Sequence, residues 1–259
     1  MITNEAVRII ESAGDKPFFL YVAHHSPHYP LNEPPKWIAG YEDTIEDVWR
    51  RHFAAAVTHL DDGVGRIVAA LEQAGLREKT LIVFSSDNGG QQNWGAPQKE
   101  YNGRYAAHTT LGNNQPLRGW KGDLYEGGIR VPAFVNWPGH VSKGRVFDSP
   151  THVVDWLPTL LRAAGGNPGE SEAAEGIDLW PALLGQSADL AQRAMYWKTP
   201  SASAIRQDDW KLIRFRRDGR NELFDLSDDP LEKNDLADKE PERVRELSSL
   251  LEQLAEEDK

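Results

Sequence analysis

The chain has 259 residues, 39% of them hydrophobic and nine of them tryptophan, enough for one large α/β domain or for one domain with a small appendage. Its 40 acidic against 29 basic residues leave a formal charge of -11, which excludes nucleic acid and anionic membrane as natural partners and requires any anionic substrate to meet a local positive pocket. No cysteine is present, so disulfides, thiolate metal sites and cysteine catalysis are excluded within this sequence.

Residues 3–12 predict a helix, with Thr3 or Asn4 as N-cap, Ala6, Val7, Ile9 and Ile10 as its apolar side, and Gly14 as its stop. No apolar run reaches membrane-spanning length, and the first 15 residues lack the charged-then-apolar layout of a signal peptide. Taken as complete, the chain reads as soluble and cytoplasmic. Pro17 to Ala23, PFFLYVA, predicts a strand that ends in His24, His25 and His28. Three histidines this close suit a transition metal, but Pro27 and the extended chain deny them helical ligand spacing. After a loop punctuated by Pro34, Pro35 and Gly40, a long helix is expected from about Glu46 to Ala74, stopped by Gly75. Phe53, Val57, Leu60, Val64, Ile67, Val68 and Leu71 form its apolar face, and Asp61 and Asp62 read as a solvated one.

Leu81 to Phe84 is a short apolar run that reads as a strand covered on both faces, completing a βαβ unit whose loops open at one sheet edge. At its carboxyl end stand Ser85, Ser86, Asp87 and Asn88, then Gly89 and Gly90, which free the backbone for a turn or a close approach. Ligands of open α/β sheets bind at such ends. A carboxylate beside an amide carbonyl suits a hard cation, calcium or magnesium, and a plain polar turn accounts for the same residues. Residues 91–115 are polar and aromatic, with Trp94, Tyr101, Tyr105 and His108, and read as a substrate-facing wall. Pro116 to Pro132 sets Arg118, Lys121, Glu126 and Arg130 among glycines, either to meet an anion or as an ordinary surface hairpin.

Ala133 to Trp137 predicts a further strand, and residues 151–164 an apolar helix beginning near Asp155. Residues 165–176 read as a connector, and a domain boundary is placed near Gln186, giving domains 1–185 and 186–259. Short antiparallel strands are expected at 194–198, 203–207, 210–216 and 222–226, with a hairpin tip at Asp218-Gly219. Pro241 opens a final amphipathic helix.

Six stretches, taken in chain order, resemble the sulfatase family, the arylsulfatase-like branch of the alkaline-phosphatase-like superfamily. They are Phe18-Phe-Leu-Tyr-Val-Ala with Pro27-His28, Gly63-Val-Gly65, Phe84-Ser-Ser-Asp-Asn-Gly-Gly90, Pro116-Leu-Arg-Gly-Trp-Lys-Gly122, Glu126-Gly-Gly-Ile-Arg-Val-Pro132, and Leu223-Phe-Asp-Leu with Asp229-Pro230. The resemblance implies an α/β sandwich of a mainly parallel sheet between helices, here incomplete, with a small C-terminal antiparallel sheet plus helix. It implies that Asp87 and Asn88 are calcium ligands, with magnesium as a substitute, and that His28 and Lys121 hold the sulfate oxygens and act in catalysis. His108 is added as a substrate-binding residue. Asn88 stands where related zinc-binding phosphatases and phosphodiesterases carry His, which favours a hard metal. The implied activity is hydrolysis of a sulfate ester on a small molecule or sugar. The alternatives are a non-catalytic binder of sulfated glycans or other anions, and a phosphonate or phosphate monoester hydrolase.

The family's nucleophile is a formylglycine made in a Cys/Ser-x-Pro-Ser-Arg motif, which this sequence lacks; Pro200-Ser201 follows Lys198-Thr199 and precedes Ala202. The expectation is therefore a C-terminal part of the catalytic domain, with the N-terminal half, including the formylglycine, as its missing partner and with no turnover alone. Export to the periplasm or beyond is what the resemblance suggests.

Overall fold

The computed structural model describes residues 1–92, 112–170, 175–186, 190 and 192–257. The chain divides into two compact units, Met1–Ile82 with Gly90–Asn113, and Val83–Gly89 with Asn114–Lys259.

In the first unit, α1 (Ile2–Ala13) and α2 (Pro35–Ala39) pack on α3 (Val48–Gln73). Ile10 of α1 is buried against Ala70 and Leu71 of α3, with Val7, Leu20 and Ile67 around them. Gly63 permits this approach, because a Cβ there would lie 2.8 Å from Thr3 Oγ1. The helix begins earlier than its expected caps: Met1 is the N-cap, and no side chain caps it. Asn4 is drawn away instead, its Oδ1 accepting from Arg66 at 2.6 Å. Asp47 caps α3 by accepting the Arg50 N–H at 2.8 Å. Gly75 follows that helix with φ +67, and Asp61 and Asp62 lie exposed on its surface.

Residues 17–23 do not form a strand. They have strand composition, but β-propensity becomes a strand only through a ladder and a packed face. Instead Phe19 and Tyr21 are 80% and 82% exposed. The expected βαβ unit is therefore not formed among the described residues.

The second unit begins within β1 (Ile82–Ser85), at Val83. After α4 (Glu126–Ile129) comes β2 (Ala133–Asn136), which pairs with β1 in a two-stranded sheet. Phe84 stacks on Phe134 at 4.7 Å between ring centroids. The strand is half-buried rather than covered on both faces. The apolar helix α5 (Trp156–Ala163) is preceded by a 3-10 turn at Val153–Asp155. Asp155, fully buried, accepts from His152 N at 2.7 Å, from Ile177 N at 3.1 Å and from both Arg193 guanidinium nitrogens, tying α5 to the chain before the short α6 (Trp180–Leu183).

The strands β3 (Ala194–Lys198), β4 (Ala202–Gln207), β5 (Trp210–Phe215) and β6 (Asn221–Asp225) form an antiparallel sheet in sequence order. Alternation gives it two apolar faces. Ile205, Leu212 and Leu223 pack against Leu247 and Leu251 of α7 (Pro241–Glu257). On the opposite face Ala202, Ala204, Ile213 and Phe224 pack against Leu124, Tyr125 and Ile129. Lys211 belongs to that second face, opposite Phe224 in the register.

Candidate functional site

Asp87 and Asn88 follow β1 on a loop whose backbone is fixed from both sides. Ser86 N–H donates to Pro132 O at 3.0 Å and Gly89 N–H to Gly128 O at 3.0 Å. A Cβ on Gly89 would stand 1.8 Å from Gly127 O, so no other residue fits here without moving the loop. Asp87 is exposed and Asn88 half-buried. Their side chains offer oxygen donors, which suits a hard cation such as calcium. Two such residues make only part of the six to eight oxygens, roughly, that calcium takes. Among the described residues no group of three His, Asp or Glu side chains is arranged to hold a metal, so His24, His25 and His28 do not form a transition-metal site.

The turn that carries Lys121 packs on the same Gly127–Gly128 segment. Gly127 and Gly128 are pressed against the preceding turn, where added Cβ atoms would meet Arg118 O at 2.5 Å and Trp120 O at 2.6 Å. Lys121 is exposed at the tip of that turn, between Gly119 (φ +86) and Gly122 (φ +92), conformations that glycine alone adopts without strain. Trp120 N–H is held by Asp123 Oδ2 at 2.9 Å, and Asn114 Nδ2 donates to Gly119 O at 3.1 Å. Gly127–Gly128 is thus a common support for the Asp87–Asn88 loop and the Lys121 turn.

His28 belongs to the first unit, where Leu31, fully buried against Trp49 and Ala56, anchors the segment behind it. Its Nδ1 is 2.8 Å from Tyr29 O. A carbonyl only accepts, so Nδ1 carries the hydrogen and the exposed ring offers Nε2 outward. His108 lies outside the described residues.

Beneath the Gly127–Gly128 support, Glu126 joins two charges that sequence reading missed, Lys211 and Glu232. Glu126, Lys211 and Glu232 are 3%, 0% and 0% exposed. Lys211 Nζ lies 2.9 Å from Glu126 Oε1 and 2.8 Å from Glu232 Oε1. Burial raises the Glu232 carboxyl above its ordinary range, and Lys211 opposes that shift. Arg118 lies over the Tyr125 ring at 3.9 Å and donates to Glu232 O at 2.7 Å. Tyr125 in turn donates its hydroxyl to Glu222 at 2.7 Å, and burial pushes that phenol well up. The available signal was a lysine on the same strand face as Ile213.

The family model described as Sulfatase matches residues 1–166. The chain belongs to the sulfatase family. A second model, N-sulphoglucosamine sulphohydrolase, C-terminal, matches residues 119–259 of this sulfatase-family chain. It is 30% identical to arylsulfatase J of Mus musculus, over 92% of this chain and 45% of that protein. With N-acetylgalactosamine-6-O-sulfatase of Bacteroides thetaiotaomicron it shares 31% identity, over 97% of this chain and 50% of that one. Among solved structures, the crystal structure of Ps i-CgsB in complex with k-i-k-neocarrahexaose superimposes with a TM-score of 0.81 at 30% identity, covering 98% of this chain and 53% of that one. A phosphonate monoester hydrolase from Silicibacter pomeroyi, 18% identical with a TM-score of 0.67 over 98% of this chain and 58% of that one, shares the fold alone. The architecture is the alkaline-phosphatase-like α/β fold of the sulfatases. The chain spans about half the length of the relatives it matches.

Proposed function

We propose that this chain carries the cation-binding and leaving-group side of a sulfuric ester hydrolase acting on a sulfated carbohydrate. The observation that carries the reading is the common Gly127–Gly128 support, which sets the oxygen donors of Asp87 and Asn88 and the ammonium of Lys121 on adjoining loops. Cleaving the S–O bond of a sulfate ester spreads negative charge over the non-bridging oxygens, and groups that meet that charge lower the barrier. Lys121 supplies a fixed positive charge for one of those oxygens. Asp87 and Asn88 hold calcium, which when bound stabilises the same charge. His28 is assigned by its chemistry: with Nδ1 donating to Tyr29 O, Nε2 is the ring atom left to meet a sulfate oxygen or the departing alcohol.

The nucleophile lies outside this sequence, which has no cysteine and no Cys/Ser-x-Pro-Ser-Arg motif. The complementary half of the domain is the proposed partner. The exposed Phe19, Tyr21 and Phe134 support this, being strand-type apolar residues left uncovered at 80%, 82% and 50%. A sulfated sugar as substrate draws support from the relative named N-acetylgalactosamine-6-O-sulfatase and from the oligosaccharide complex of Ps i-CgsB.

The test is sulfate release from 4-nitrophenyl sulfate and from sulfated oligosaccharides by the polypeptide extended upstream in its reading frame through the formylglycine motif. Turnover is expected with calcium, abolished by chelation, and reduced about 100-fold or more in Lys121→Ala. Full turnover by Asp87→Ala in the presence of chelator sinks the reading. Binding of sulfated oligosaccharide without hydrolysis would instead support a non-catalytic binder.

A further inference from the structure

The Glu126–Lys211–Glu232 group is built too closely into the candidate site to serve only its own sheet. Lys211 projects from β5, and its ammonium is shared by two carboxylates from separate segments, at 2.9 and 2.8 Å. The second oxygen of Glu232 accepts the Glu126 N–H at 2.7 Å, and the Glu232 carbonyl accepts from Arg118 at 2.7 Å. The segment holding Lys121 is therefore gripped at both ends, by Arg118 before Gly119 and by Glu126 before Gly127. The next residues along are Gly127, whose carbonyl faces Gly89, and Gly128, whose carbonyl accepts the Gly89 N–H. Buried charges of this kind must stay together, since each lacks water as an alternative partner.

We infer that Lys211, together with Glu232, is a positioning residue for the cation-binding loop. Through Glu126 it fixes the Gly127–Gly128 support, and with it the placement of Asp87, Asn88 and Lys121. Its functional consequence rests on the calcium and sulfate reading above, while the mechanical linkage is independent of any metal. Arg206, with Nη1 4.0 Å from Glu126 Oε2, adds a second positive charge on the same carboxylate.

The experiment is amide hydrogen exchange on the full chain without metal, comparing the parent with Lys211→Met. Peptides covering residues 84–90 and 116–129 should exchange about tenfold faster or more, while α7, on the far face of the sheet, keeps its protection. A lysine that only stabilised its own sheet would loosen residues 202–226 and leave 84–90 unchanged, and that pattern overturns the inference. If Lys211→Met loses protection throughout the sheet and so fails to fold, Glu232→Gln, which keeps the Lys211–Glu126 pair, is read against the same two patterns. Calcium titration by calorimetry is run in parallel on the polypeptide extended upstream, with affinity expected to fall about tenfold or more in the variant. An extended parent that takes up no calcium overturns the calcium reading, and the exchange pattern of the chain still decides the positioning role.

Discussion

Gly89 and Gly127 meet with no space for a side chain between them: a Cβ built on Gly89 would be 1.8 Å from the Gly127 carbonyl oxygen. Backbone atoms are all that separate the Asp87–Asn88 loop from the turn that carries Lys121. Gly89→Ala should therefore displace that loop and cost roughly 3 kcal/mol, as overpacking against backbone that cannot yield. Urea denaturation checks the stability, and a folded variant of parental stability would contradict the geometry.

Gly63→Ala should behave differently, although its Cβ would also be close, 2.8 Å from Thr3 Oγ1. The obstacle is a side-chain hydroxyl able to rotate, and alanine gains about 1 kcal/mol of helix propensity over glycine. The variant should lie within about 1 kcal/mol of the parent by urea denaturation. Gly63→Leu should be clearly destabilised, since it would drive α1 away from α3.

Phe224→Ala tests the core of the four-stranded sheet. The ring is fully buried between Ile213 and the Leu124–Tyr125 segment, so truncation should cost about 3–5 kcal/mol. A loss below about 1 kcal/mol would mean that this face is not packed as described.

The pH dependence has a defined sign at His152. Burial lowers its pKa below the ordinary histidine value, the nearby Asp155 opposing and Arg193 adding to the shift, and its Nδ1 accepts from Val154 N at 3.4 Å. Protonation removes that acceptor. The unfolded state therefore binds the proton more readily, so this stability is complete above the unfolded pKa and is lost as pH falls through the lower folded value. His24, also lowered by burial, acts in the same direction. Denaturation midpoints should fall as the pH drops through the histidine range, and His152→Asn should flatten the profile. A midpoint that rises on acidification in this range would reverse the argument.

The C-terminal sheet and helix were legible in the sequence because their determinants are local. Period-two alternation in Trp210–Phe215, the Asp218-Gly219 turn and the proline at 241 each act within a few residues. The loop at Asp87 was legible for a related reason, since an apolar run ending in acid, amide and two glycines announces a strand end. Residues 17–23 misled, because strand composition does not supply a strand to pair with. Lys211 was invisible because a lysine in a strand ordinarily snorkels to water. Only the register, with Leu124 and Tyr125 covering its face, makes that position interior. The meeting of Gly89 with Gly127 joins distant segments, which no local pattern reports.

The buried Lys211 constrains how such a chain can be recombined. A crossover between the β1–β2 region and the four-stranded sheet would separate this ammonium from Glu126 and leave an uncompensated charge in an interior, at about 3–5 kcal/mol. The sheet is thus a poor unit for shuffling, and recombination that preserves folding must carry Glu126, Lys211 and Glu232 together. The family match that runs from residue 119 to 259 contains all three.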